Sequence, residues 1–260
     1  MAVATAPKVD VRELLKAGAH FGHKTAHWNP MMEPYIYGKR GGIYIIDLIQ
    51  TAERLTEALR FIEKTAASGK QVLFVGTKRH IREVVRGSAE AAESPYITER
   101  WLGGTLTNFN TISGRVKHLK KLEEQDSTGE LKENYNKREI GVIREEIAKL
   151  NVNFLGIKEM NSVPGAVFIA DALSDRTAVR EAIRLGIPVV AIVDTNASPE
   201  GIDYVVPAND DAVSTISLIS NLVTQAVNEG RAKQKSAPTE DATKSVTKKS
   251  TIQKDKKTKG

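Results

Sequence analysis

"QVLFVGTKRHIREVVRGSAEAA", residues 71–92, sets the architecture. Its opening run of Val72, Leu73, Phe74 and Val75 is apolar without alternation and stops at Gly76, the pattern of a strand buried on both faces. Ile81, Val84 and Val85 then recur at helical spacing. The same beat returns outward along the chain. Residues 96–98 (YIT), 166–170 (AVFIA), 188–193 (PVVAIV) and 204–206 (YVV) read as four further strands. Residues 175–186 (DRTAVREAIRLG) read as a helix closed by Gly186. Residues 209–230 read as a final helix, capped by Asn209 and Asp210 and closed by Gly230. Strands alternating with helices imply a mostly parallel sheet covered on both sides. The expected fold is therefore α/β, a flavodoxin-like three-layer sandwich on a five-stranded sheet.

One stretch breaks the beat. Leu106, Phe109, Ile112, Val116, Leu119 and Leu122 follow at spacings of 3, 3, 4, 3 and 3, and Ile140, Ile143, Ile147, Leu150 and Phe154 at 3, 4, 3 and 4. Two such apolar seams, joined by the polar residues 126–137, predict an inserted antiparallel coiled-coil hairpin whose helices of about 17 residues reach roughly 25 Å. Nearer the start, "YIYGKRGGIYIID" (35–47) reads as a β-hairpin with Lys39 and Arg40 at its tip, and residues 51–69 as an amphipathic helix. These readings divide the chain into an α/β domain (8–104 and 156–230), an inserted helical hairpin (105–155) and a tail (231–260).

With 260 residues the chain can bury one sizeable core. No apolar run approaches the roughly 20 residues of a membrane span, and residues 1–15 lack the apolar core and cleavage site of a secretory signal. There is no cysteine, which excludes disulfides and thiolate metal sites and fits a reducing cytoplasm. The net charge of +6 is uneven: residues 231–260 carry +7, so the first 230 sum to −1. Any anion-binding surface on the folded part must come from local clustering. The tail has almost nothing apolar to offset the ordering of its backbone, so we expect it to be disordered, either a spacer or a basic arm on nucleic acid.

"HFGHKTAHWNP" (20–30) gathers His20, His23 and His27 beside Trp28. Spacings of three and four could set the histidines on one helical face for a metal, but Gly22 and Asn29-Pro30 oppose a helix there, so no metal site is expected. Lys78 and Arg79 stand before a helix N-terminus, where phosphate is favoured, yet neither GxxxxGK[ST] nor GxGxxG is present. GxSxG is absent too. Cationic and planar groups recur instead. Lys24, His27 and Trp28 form one cluster, Lys39 and Arg40 a second, Lys78 and Arg79 a third, and Arg100 and Trp101 lead into "LGGTLTN" with Asn108. Arg115, Lys117 and Lys121 lie off the apolar seam of the first arm helix. Repeated basic, aromatic and glycine residues fit binding to the backbone of a shaped RNA, with stacking on exposed bases.

Blocks spanning these residues resemble a known family: "LLKAGAHFGHKTAHWNPMMEPYIYGKRGGIYIIDL", "VLFVGTKR", "RWLGGTLTNF", "GIPVVAIVDTN" and "PANDDA", in order between about Val11 and Arg231. They are similar to the successive signatures of the bacterial-type ribosomal protein S2 family of the small subunit. The resemblance implies a flavodoxin-like domain with an inserted coiled-coil hairpin, seated between head and body of the subunit. It implies contact with small-subunit rRNA and neighbouring ribosomal proteins, a part in recruiting the large S1 protein, no enzymatic activity and no cofactor. The setting would be the cytoplasmic ribosome or an organellar one. Gly165 and Ser198-Pro199 depart from the usual pattern, and we expect both to affect turns at the carboxyl edge of the sheet.

Overall fold

The computed structural model describes residues 9–236. Five strands, β4 (Val72–Val75), β5 (Tyr96–Ile97), β6 (Ala166–Ile169), β7 (Val189–Val193) and β8 (Tyr204–Pro207), form an all-parallel sheet in the order β5-β4-β6-β7-β8. This is the doubly wound order in which the first strand lies inside the second, so the chain reverses direction across the sheet between β4 and β6. Continuous apolar strands are explained by burial on both faces. Val72 and Phe74 face one core with Phe168, Val190 and Ile192, whereas Leu73 and Val75 face another with Val167, Ile169 and Ala191. Phe74 and Phe168 meet edge to face at 5.5 Å across the β4–β6 pair.

The first core is covered by α1 (Val11–Ala17), α2 (Leu48–Ala67), α3 (Arg82–Ala91) and α8 (Val213–Ser236). On the other face lie α7 (Arg176–Arg184) and the base of the inserted arm. Gly186, at φ +66°, ends α7 as expected. Gly230 does not end α8. The helix runs on to Ser236, and a Cβ at Gly230 would collide with the Glu63 carbonyl oxygen and lie 2.7 Å from the Ala66 Cβ. The glycine serves close helix packing, not capping. Residues 231–236 thus belong to α8, and the expected disorder of the remaining tail, 237–260, lies outside the described residues.

The arm comprises α4 (Phe109–Thr128), α5 (Glu130–Asn134) and α6 (Lys137–Phe154). Ile112, Val116, Leu119 and Leu122 are buried along α4, and Phe154 is buried on α6. Ile112, Val116, Leu119 and Phe154 join the sheet's second core, so the arm is rooted in it. Its helices also meet through Arg144 and Asp126 at 2.8 Å and His118 and Glu146 at 3.3 Å. The polar connection contains a helix the spacing did not predict. Gly129 breaks the chain at φ +85°, buried Leu131 anchors α5, and Asn136 with Glu139 forms a capping box that starts α6.

A second, smaller sheet precedes the main one. β2 (Ile36–Arg40) and β3 (Ile43–Ile46) make the expected hairpin through Gly41 and Gly42, both at positive φ, and β1 (Phe21–Lys24) adds to β3. Gly165 packs against Lys70, where a Cβ would lie 2.5 Å from the Lys70 Cβ. It precedes β6, so this departure belongs to the amino edge of the sheet, not the carboxyl edge. Replacing Gly230 by alanine should cost about 2 kcal/mol through overpacking. Gly141→Ala, on an open face of α6, should gain about 0.8 kcal/mol from helix propensity. Urea midpoints of the two variants check both signs.

Candidate functional site

The loops after β4, β6, β7 and β8 converge at the carboxyl edge, where open α/β sheets present their crevice. Here the crevice is filled from within. Lys78, in the loop after β4, sets its ammonium 3.2 Å from Asp171, 3.0 Å from Asp210 and 2.8 Å from Asp211. Burial works against the ammonium, but hydrogen bonds to Asp211 and Asp210 and the fields of Asp210 and Asp171 outweigh it and raise its pKa. Asp210 is pushed up to about 7 by burial and by the neighbouring charges of Asp171 and Asp194. Asp175, beside them, is pushed up to about 6 by burial, although Thr77 donates to it from its amide at 3.1 Å and its hydroxyl at 2.8 Å. A nest of carboxylates repels phosphate, so the crevice cannot serve a nucleotide in the way Lys78 alone suggested.

The histidines do not share a face. His20 packs on Phe21 with ring centres 3.9 Å apart, and His27 ends a 3-10 turn, exposed. His23, on β1, turns inward and places Nδ1 3.1 Å from Asp194 and Nε2 3.4 Å from Asp211. Its pKa rises, chiefly through the hydrogen bond to Asp194. Gly22 makes this approach possible, because a Cβ there would lie 2.6 Å from the Thr195 side chain. The His23 amide donates to Thr195 Oγ1 at 2.9 Å, and the Asn29 amide donates to the Thr195 carbonyl at 2.7 Å. Donor atoms of His23, Asp194 and Asp210 lie within 4.8 Å of one another, close enough to ligate one cation. Asp194 and Asp210 stand 171 and 187 residues from His23, so spacing could not reveal that set.

The remaining cationic candidates face outward. Lys24, Lys39, Arg40, Arg79, Arg100, Arg115, Lys117 and Lys121 are exposed, and none makes an ion pair among the described residues. Lys39 and Arg40 end β2 immediately before the Gly41-Gly42 turn. Trp28 is half-buried with its ring centre 5.1 Å from that of Tyr44. Asn108 is exposed at the start of α4 and accepts from the Thr111 hydroxyl at 2.9 Å. Trp101 turns inward, its indole N–H donating to Glu181 at 3.0 Å. The spacing missed Arg176 and Arg180, which line a cleft of about 550 Å³ with Asn29 and Asn196. Only the packing of α7 beside the loop after β7 brings them together.

Replacing Lys78 with methionine should cost about 3 kcal/mol, the order expected when one partner of a buried ion cluster is removed. The deficit should shrink between pH 8 and pH 5. Asp210 takes up a proton as pH falls through about 7, and a neutral carboxyl no longer needs the ammonium. Thermal melts across that range measure both effects.

Known proteins share this chain's pattern. The family model described as ribosomal protein S2 matches residues 14–230. The "Small ribosomal subunit protein uS2" of Roseiflexus castenholzii is 50% identical over 228 residues, covering 88% of this chain and 86% of that protein. The protein of the same name from Treponema pallidum (strain Nichols) is 48% identical, covering 85% and 76%. The "Small ribosomal subunit protein uS2c" of Porphyra purpurea is 47% identical, covering 86% and 92%. With an inward-facing acidic crevice, outward-facing cations and this similarity along nearly the whole folded chain, the protein belongs to the ribosomal protein S2 family, a family of structural, non-enzymatic components of the small ribosomal subunit.

Proposed function

We propose that the protein binds small-subunit rRNA between the head and body of the subunit and helps to recruit the large S1 protein during translation. The observation that carries the RNA-binding half is the set of eight exposed cations without carboxylate partners among the described residues. They ride on a folded part whose net charge is close to zero, so the attraction is local. Phosphates are held by Lys24, Lys39, Arg40, Arg79, Arg100, Arg115, Lys117 and Lys121. His27 and Trp28 meet bases or sugars, and the Asn108 amide donates to the backbone. Lys78 and Trp101 act from inside, holding the loops that present Arg79 and Arg100. The S1 partnership rests on family membership alone.

The double reversal Lys39→Glu with Arg40→Glu should lower occupancy in purified small subunits while leaving the far-ultraviolet spectrum unchanged. It should also flatten the dependence of log affinity on log salt by about 1.5, as expected when two phosphate contacts are lost. Normal occupancy and an unchanged slope would sink the assignment. For the second half, subunits assembled without this protein should retain less S1 after sedimentation, and equal retention would remove that role.

A further inference from the structure

Glu181 lies on α7, is 8% exposed, and is used by nothing above except as the partner of Trp101. Its carboxylate is the centre of a complete anion cradle made by the protein itself. One oxygen accepts from the Trp101 indole at 3.0 Å and the Gly104 amide at 2.8 Å. The other accepts from the Leu106 amide at 3.0 Å, the Thr107 amide at 3.1 Å and the Thr107 hydroxyl at 3.1 Å. Burial opposes the charge, yet the donors from Thr107, Trp101, Gly104 and Leu106 outweigh it and hold the carboxyl below its ordinary range. Gly104, at φ +88°, supplies the bend that lets backbone amides converge on one point.

The cradle occupies the segment 101–107, which contains no strand or regular helix and runs straight into α4. The arm's other root is secured by packing. Leu155–Ile157 forms a 3-10 turn with Ile157 buried, and Gly156 lies so close under the Tyr96 carbonyl that a Cβ would collide with it. The incoming root buries Leu106 in the same core, with Trp101 and Leu102 packed beside it, and the backbone donors it turns inward at Gly104, Leu106 and Thr107 meet Glu181. We propose that Glu181 is a positioning residue. It locks the 101–107 loop around its carboxylate and thereby fixes the course on which the α4–α6 arm leaves the sheet. The consequence for RNA rests on the function proposed above: Arg100 at the loop and Arg115, Lys117 and Lys121 on α4 would be held in register for one shaped target.

The chain has no cysteine, so paired spin labels can be introduced cleanly at Glu57→Cys on α2 and Lys132→Cys on α5. In the full chain we expect one narrow distance distribution at pH 7. Glu181→Gln should broaden it, because the amide loses the charge and turns an N–H toward donors. Trp101→Phe, which removes one donor and keeps the carboxylate, should broaden it less and guards against a variant that fails to fold. In the parent the distribution should also broaden as pH falls below the ordinary carboxylate value, since a depressed pKa gives stability that is present above that value and lost below it. A narrow, unshifted distribution in a folded Glu181→Gln chain overturns the proposal. Affinity for small-subunit rRNA is read in parallel, with a loss of about tenfold expected for Glu181→Gln. If the parent itself does not bind, the RNA-binding function fails, while the distances still decide the role of Glu181.

Discussion

The Lys78 ammonium, held among Asp171, Asp210 and Asp211, is the contact on which the carboxyl edge depends. The carboxylates come from two separate returns of the chain: Asp171 follows β6, whereas Asp210 and Asp211 lie between β8 and α8. Without a cation among them their mutual repulsion would open the edge, and without the carboxylates a half-buried ammonium would have no partner. His23 and Asp194 extend the cluster to β1, which ties the small N-terminal sheet to the large one. A crevice that elsewhere takes a ligand is here used to join two sheets.

Two arrangements of charge therefore coexist. Internal charges are matched at close range: Lys78 with its aspartates, Glu181 with its amides, and Lys158 with Glu123 at 2.7 Å. The outward cations are left to solvent, where isolated pairs would contribute little to stability in any case. Removing an inner charge should damage the fold, while removing an outer one should leave it intact. That separation keeps the charges that hold the fold together inside and leaves a set of exposed cations outside.

Glycine positions follow the same logic. Gly22 admits the Thr195 loop, Gly230 admits α2, and Gly104 gathers amides around Glu181. In the sequence Gly22 looks like a helix breaker and Gly230 like a cap. Gly186 is a cap, and there the local reading is correct because a helix end is decided by its own backbone. Gly230 is not a cap, because what it answers to is a helix some 160 residues away in sequence.

The five strands, their alternation with helices and the apolar seam of α4 were all fixed by short-range pattern, since burial on both faces or along one stripe requires a local period. The resemblance carried the family. Neither could tell Lys78 from Arg79. The two are adjacent and both basic, yet one is caged by carboxylates and the other faces water. Nor could spacing show that Trp101 turns toward Glu181, or that His23 joins Asp194 and Asp210 and leaves His20 and His27 behind. Those outcomes depend on which loops the sheet order brings to a common edge. Charges close in space but far apart in sequence have no period, so only the folded chain could choose their partners.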